Sequence, residues 1–407
     1  MDIKDSIHSL LRKCKYILKA PYRKRIIADA YKKKKLILSE KRKQSRKQIK
    51  VGFVVQMPEI WDKEAPLYEA LLEDKRFDVY LIIVPHYDFA NNKLGQFGEE
   101  REFFVERYTA ANIVLLNSPE DKVVDSSYDY IFYQRCWEDY LPEQMRCKNV
   151  INYAMTCYIP YCYHCTPMLV SYYQTDFFWF LSKFYCCSDG QYNQVSKIGN
   201  IECQFFGFPV LDSLHYEDNK HEKINILWTP RWSDDLSLGG STFNRNKNLI
   251  LELNKIPEVN LTLRPHPLTF ENAIKEHWMT PEEIEEYKNH VNESGASFDS
   301  NKLIEDSFRN TDILITDFSS AIVTFFFTGK PIIYCSGSDF VMDETFRTIM
   351  DSVYIATNWT DVQRCVLDLT NGADPLYNKR QEVIKNISNP HLSVSRIIED
   401  LYRTLNP

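Results

Sequence analysis

Three short segments of this chain combine cationic, imidazole and hydroxyl side chains with residues that constrain the backbone. They are Thr229-Pro230-Arg231-Trp232, Arg264-Pro265-His266-Pro267 and Thr316-Asp317-Phe318-Ser319-Ser320. Each follows an apolar run of strand character. Two guanidiniums (Arg231 and Arg264), an imidazole (His266) and hydroxyls at a helix start (Ser319 and Ser320) make a set of phosphate ligands. His266 lies between two prolines, which keep the backbone extended and aim the ring rigidly. Such a histidine can act as general base, general acid or proton-bearing phosphate ligand. The stretch 309–335, RNTDILITDFSSAIVTFFFTGKPIIYC, reads as strand, polar turn, helix and strand. Its serines then stand where the free N–H groups of a first helical turn favour anions. Asp317 and Ser319 also fit as simple helix caps. No Walker-type loop and no GxGxxG is present, so a phosphate here is held by side chains and turn backbone.

The elements that position these segments alternate between strand and helix patterns. Ile49–Gln56, Asp78–Pro85, Asn112–Leu116, Tyr128–Gln134 and Lys148–Met155 read as strands, with helices over Ala65–Asp74 and near Phe97–Tyr108. Tyr153–Tyr163 reads as a polar-aromatic loop and Tyr172–Tyr185 as an aromatic helix, with Asp189 capping the helix after it. Strands continue at Glu202–Gly207, Ile224–Trp228, Val259–Leu263 and Ile332–Cys335, with a charged insertion over 269–300. Alternation of this kind predicts parallel sheets with crossover helices, and ligands outside the carboxyl ends of the strands. The expected divisions are a basic amphipathic helical arm (1–49), a first Rossmann-like domain (50–212), a second (213–390) and a terminal helix (391–407).

Composition limits the classes. The 407 residues are 44% hydrophobic and 14% aromatic, with only 12 glycines, which excludes fibrous and disordered classes. The 11 cysteines are scattered, and Cys157, Cys162, His164 and Cys165 match no common zinc spacing. Neither a metal nor an obligatory cofactor is expected. Residues 1–50 hold 18 Lys and Arg against 4 Asp and Glu; with −7 overall, the remainder carries −21. A basic arm on an acidic body fits an anionic membrane surface and disfavours nucleic acid. With no signal-peptide core and no apolar run of spanning length, the expected place is the cytoplasm, peripheral on the inner face of the plasma membrane.

The paired motifs resemble those of the CDP-glycerol glycerophosphotransferases, the family of teichoic acid primases and polymerases and related capsule enzymes. Arg264-Pro-His-Pro and Thr316-Asp-Phe-Ser-Ser carry the likeness, Trp228–Trp232 resembles the family's strand and turn, and Gly207-Phe208-Pro209 through Asp212 resembles its GYP..D segment. The resemblance implies a GT-B-like α/β fold, two facing Rossmann-like domains with the nucleotide donor in the second. It implies that Arg231, Arg264, Thr316, Asp317, Ser319 and Ser320 line the diphosphate of a CDP-linked donor, CDP-glycerol above all, with His266 catalytic. The acceptor would be lipid-linked or a glycan. The family's first-domain His-Gly-Thr-Pro loop is missing, and the nearest echo is His164-Cys165-Thr166-Pro167, which makes His164 the candidate second histidine of a divergent branch. A GT-B glycosyltransferase with a nucleotide-sugar donor would share most of these ligands, and a non-catalytic nucleotide-binding subunit is the reading from another class.

Overall fold

The computed structural model describes residues 20–88, 93–109, 112–166, 170–198, 201–214, 221–236, 239–335, 337, 339–387 and 392–407. Apolar runs bounded by polar turns become strands buried on both faces, as helix-covered parallel sheets require. The first sheet is built from β1 (Ile49–Val55), β2 (Phe77–Ile83), β5 (Asn112–Leu115), β6 (Tyr130–Tyr133), β7 (Met155–Tyr158), β8 (Lys183–Cys186) and β9 (Cys203–Phe205), while β3 (Tyr87–Asp88) and β4 (Lys93–Leu94) form a small antiparallel hairpin beside it. Its order is β5-β2-β1-β6-β7-β8-β9, and the recorded pairings are parallel. The second sheet holds β10 (Ile224–Thr229), β11 (Val259–Leu263), β12 (Ser297–Phe298), β13 (Ile313–Thr316), β14 (Ile332–Cys335) and β15 (Tyr354–Ala356), in the order β12-β11-β10-β13-β14-β15. Each sheet therefore reverses its direction of winding once, between β1 and β6 and between β10 and β13. Those reversals leave crevices at the carboxyl ends of the central strands.

Several local expectations change. The chain over Cys147–Val150 is a helical turn, and strand pairing begins only where Met155 N–H reaches Asp129 O at 2.9 Å. Asn149 and Asn152 explain the delay: their side chains bond the carbonyls of Glu143 (2.6 Å) and Asn149 (2.8 Å), offering the backbone an alternative to a ladder. The supposed loop after Tyr153 accordingly starts with β7. Tyr172–Tyr185 is divided into a short helix, Asp176–Phe180, and β8, because an unbroken aromatic run has no periodicity that separates the two. The cap at Gln191 is Ser188, whose Oγ accepts the Gln191 N–H at 3.1 Å; Asp189 is the first helical residue. The 269–300 insertion folds into helices Thr269–Lys275 and Pro281–Glu293, and the second starts with a full capping box, Thr280 and Glu283.

The basic arm is docked over its described length. Helix Ala20–Lys43 lays Ala30, Ile37 and the stem of Lys41 against the first domain, with Lys41 Nζ on Ser126 O at 2.7 Å and Lys33 Nζ 5.3 Å from the Phe180 ring centre. The first 19 residues of the amphipathic arm expected over 1–49 lie outside the described residues. The final helix, Ser393–Leu405, returns to the first sheet, where Tyr130 Oη donates to Leu401 O at 2.8 Å. Its start is fixed by the segment that resembled GYP..D: Asp212 Oδ2 accepts the Val394 N–H at 2.8 Å, and Gly207 adopts φ +108° against Ser393. A Cβ on Gly207 would stand 3.0 Å from Ser393 Cβ. Gly207→Ala should therefore cost about 1–3 kcal/mol through the strained φ and the contact, lowering the urea midpoint and speeding hydrogen exchange in 393–405. An unchanged midpoint would remove this role.

Candidate active site

The carboxyl ends of β10, β11 and β13 bring the three motif segments together. Asp317 is 1% exposed and organises them: its Oδ2 accepts the N–H groups of Arg231 and Thr242, both at 2.9 Å, and its Oδ1 accepts the Thr242 hydroxyl at 2.5 Å. Burial pushes its pKa up to about 6 against the pull of these donors. Thr316, fully buried, accepts the Thr229 hydroxyl at 2.8 Å and sends its own toward Thr229 O and Asp317 O. Both residues are thus frame, with their polar atoms occupied by protein. Arg264 belongs to the frame as well. Its guanidinium bonds Asp299 at 2.5 Å, Asn301 O at 2.7 Å and Lys302 O at 3.0 Å, clamping the turn before helix Ile304–Arg309.

The groups left open are Arg231, His266, Ser319 and Ser320. Arg231 is half-buried over the Phe318 ring at 5.2 Å, with Nη1 on Phe318 O at 3.2 Å and Nε without a protein partner. Burial lowers its pKa, although it remains a cation. The His266 ring lies 5.7 Å from that of Trp232, and its Nδ1 accepts the Leu268 N–H at 3.1 Å. In the neutral ring that acceptor role leaves the proton on Nε2, facing away from its own turn. Desolvation first, and the Arg231 charge second, push its pKa down to about 4. Ser319 Oγ accepts the Ala321 N–H at 3.1 Å, so its hydroxyl proton is free to donate. Ser320 starts the helix Ala321–Phe326 without a side-chain cap bond. The helix is short, so the fixed donors count for more than a macrodipole. Together they present a cation, an imidazole N–H and hydroxyl donors to one crevice, the combination suited to a phosphoryl oxygen.

His164 stands on the loop after β7. Its Nδ1 is 2.8 Å from Gln191 Nε2 and 3.1 Å from Tyr173 Oη, and burial pushes its pKa down to about 4. Its described bonds run to its own domain, while the neighbouring Cys165 O accepts the Asp343 N–H of the second at 2.8 Å. Among the described residues no group of three His, Cys, Asp or Glu side chains is placed to hold a metal. Sequence reading missed Thr242, the second clamp on Asp317, for want of any motif. Phe318 carries no chemistry in the motif, yet its ring supports Arg231.

Two parallel sheets, each with one switch point and a loop-lined crevice, define an α/β fold of GT-B type. Residues 205–343 match the model of the CDP-Glycerol:Poly(glycerophosphate) glycerophosphotransferase family, which bears out the resemblance and supports an enzyme of glycerophosphotransferase type. A solved structure of the wall teichoic acid polymerase TagF, a histidine-to-alanine variant, aligns over 100% of this chain and 99% of its own at 13% identity, with a TM-score of 0.58. The UDP-GlcNAc 2-epimerase of Neisseria meningitidis, bound to UDP-GlcNAc, aligns over 87% of this chain and 100% of its own at 12% identity and a TM-score of 0.57. A third, described as a putative UDP-N-acetylglucosamine 2-epimerase of Listeria monocytogenes, covers 87% and 95% at 12% identity and 0.55. At these identities the likeness is one of fold. No curated protein matches the chain in sequence.

The His266 geometry makes a direct prediction. In protein labelled with 15N-histidine, its Nδ1 should show an acceptor-type shift and its Nε2 an N–H shift, unchanged from pH 8 to pH 5. Because the pKa is lowered, the ring gains its second proton only as pH falls toward 4. Titration near pH 6.5, or a proton on Nδ1, would contradict the arrangement.

Proposed function

We propose that this protein transfers glycerol phosphate, or a similar polyol phosphate, from a CDP-linked donor to a lipid-linked or glycan acceptor in the synthesis of a teichoic acid-like or capsular surface polymer. The observation that carries this reading is the convergence of Arg231, His266 Nε2–H, Ser319 and Ser320 at the switch point of the second sheet, inside the family-matched stretch. An acceptor hydroxyl attacks the phosphorus that bears the polyol, the bond from that phosphorus to the CMP phosphate oxygen breaks, and CMP leaves as the hydroxyl proton is lost. Charge on the transferred group and on the departing phosphate then falls on a guanidinium, an imidazole N–H and hydroxyls. Catalysis is positioning and charge stabilisation. With Nδ1 engaged, His266 acts as a donor to the diphosphate rather than as the base. The chemistry needs no resident cofactor. CDPG named with a TagF structure supports the choice of donor.

Calorimetry tests the assignment. CDP-glycerol, CDP-ribitol and CMP should bind in preference to UDP-sugars, and His266→Ala should weaken the CDP-polyols roughly tenfold or more, the loss of one hydrogen bond to a charged group. Preference for a uridine sugar would turn the assignment to a glycosyltransferase; absence of any nucleotide binding would remove it.

The membrane side of the proposal rests on helix Ala20–Lys43, which exposes Tyr22, Tyr31 and Leu36 (65%, 54% and 60%) among Lys24, Arg25, Lys32 and Lys35. Amphipathic rings beside lysines suit an anionic lipid surface. No helix among the described residues is long and apolar enough to cross a membrane. Deleting the helix would uncover Ala30 and Ile37, so charge reversal is the cleaner test. Glu at positions 24, 25, 32 and 35 should abolish co-sedimentation with phosphatidylglycerol vesicles while leaving CMP binding intact. Sedimentation equal to wild type would sink the idea.

A further inference from the structure

Two ion pairs that cross from the first domain to the second end beside the turn that Arg264 clamps. Lys63 closes the 3-10 turn Pro58–Lys63 that follows β1, and its Nζ donates to Glu305 Oε1 at 3.0 Å. Glu99, at the start of helix Glu99–Arg107, takes the Nζ of Lys302. The second pair stands in water, with side chains 74% and 47% exposed, and is screened there. The first is different. The side chains of Lys63 and Glu305 are 12% and 7% exposed, and the Asp62 carboxylate, 4% exposed, lies on the same ammonium.

One cation therefore stands between two buried carboxylates, one from each domain. A buried ion deprived of its partner keeps the cost of its desolvation, and here two like charges would also be left facing each other. Among the described residues Lys63 is the cation recorded on Glu305, and Glu305 Oε2 has no hydrogen-bond partner. Glu305 lies in the first turn of helix Ile304–Arg309, whose start is knotted to the motif turn. Arg264 holds Asp299, Asn301 O and Lys302 O; Ser307 Oγ donates to Asp299 and accepts from Asn301 Nδ2 at 3.2 Å. Two residues beyond Arg264, His266 presents its Nε2–H to the donor crevice. Polar contacts and a short stretch of constrained backbone thus join Lys63 of the first domain to His266 of the second, and networks of this kind carry coupling between sites.

We propose that Lys63 is a positioning residue for the transfer: by neutralising Asp62 and Glu305 together it fixes the first domain against the Arg264 turn and so sets where the His266 donor stands across the crevice. The inference rests on the phosphotransferase reading above. In-line transfer depends on close placement of the reacting groups, and a misplacement of about 1 Å costs roughly 10²-fold. Lys63 acts through Glu305 and Arg264; the bonds that form and break are those already described.

The test compares wild type with Lys63→Met, Lys63→Arg, Glu305→Gln and the double variant Lys63→Met/Glu305→Gln. Turnover is followed as CMP release from CDP-glycerol with poly(glycerophosphate) as acceptor. Lys63→Met should lower kcat roughly 10-fold or more while CMP affinity and the KM for CDP-glycerol stay within about twofold. Lys63→Arg, which keeps the charge, should lie nearer wild type. The double variant should be no slower than Lys63→Met, because one contact has been removed from both sides. Glu305→Gln leaves Lys63 paired with Asp62, keeps the test open if Lys63→Met unfolds, and should show the same split of kcat from KM. The second readout is hydrogen exchange at Leu268 and Thr269, whose amides bond the His266 ring and carbonyl. Lys63→Met should speed both, although the substitution lies in the other domain. Unchanged exchange at these amides overturns the proposal, as does a wild-type kcat in Lys63→Met, a loss expressed wholly in KM, or Lys63→Arg as impaired as Lys63→Met. Failure of the phosphotransferase reading is separate: wild type then releases no CMP, and exchange at Leu268 and Thr269 still judges Lys63.

Discussion

Asp317 is the interaction on which the second domain's crevice depends. A single carboxylate at the end of β13 takes the backbone N–H of Arg231 from the β10 turn, and the N–H and hydroxyl of Thr242 from the loop beyond Gly239-Gly240. Three chain segments are thereby held to one point. Removing an ionised partner from such a buried set leaves several donors unsatisfied, at about 1–3 kcal/mol each. The carboxylate is itself costly to bury, which is why its pKa rises to about 6. Above that pH it is an acceptor for all three donors, and the turn that carries Arg231 is fixed.

This constraint divides the motif residues in two. Arg264, Thr316 and Asp317 have their polar atoms engaged by protein, and they set backbone positions. Arg231, His266, Ser319 and Ser320 keep at least one donor turned outward. The division follows from hydrogen-bond supply: a guanidinium already on Asp299 and two carbonyls has little left for a ligand, whereas among the described residues the Arg231 guanidinium bonds Phe318 O and leaves Nε unpaired. Fixed donors of this kind need no reorganisation when negative charge develops between them.

Much of this was legible in the sequence. The strands around the motifs are largely apolar runs ended by polar turns, and β10, β11, β13 and β14 appear where those runs lie. The terminal helix expected over 391–407 appears as Ser393–Leu405. What could not be read is where side chains go once the strands pair. Nothing in the spacing tells Arg264, committed to Asp299, from Arg231, left open. The aromatic-rich 147–186 region failed for another reason: where every side is buried, neither a period of 2 nor one of 3.6 survives, and Asn149 and Asn152 decided the local structure through their side-chain bonds.

The central claim is that the acceptor attacks phosphorus, because the open donors are arranged for the oxygens of a phosphoryl group. The nucleotide product decides this directly. Incubating the enzyme with CDP-glycerol and a glycerol phosphate-bearing acceptor, and following the reaction by 31P NMR, should show CMP forming in step with a new phosphodiester. Release of CDP instead would mean attack at carbon, as in glycosyl transfer, and would contradict the account.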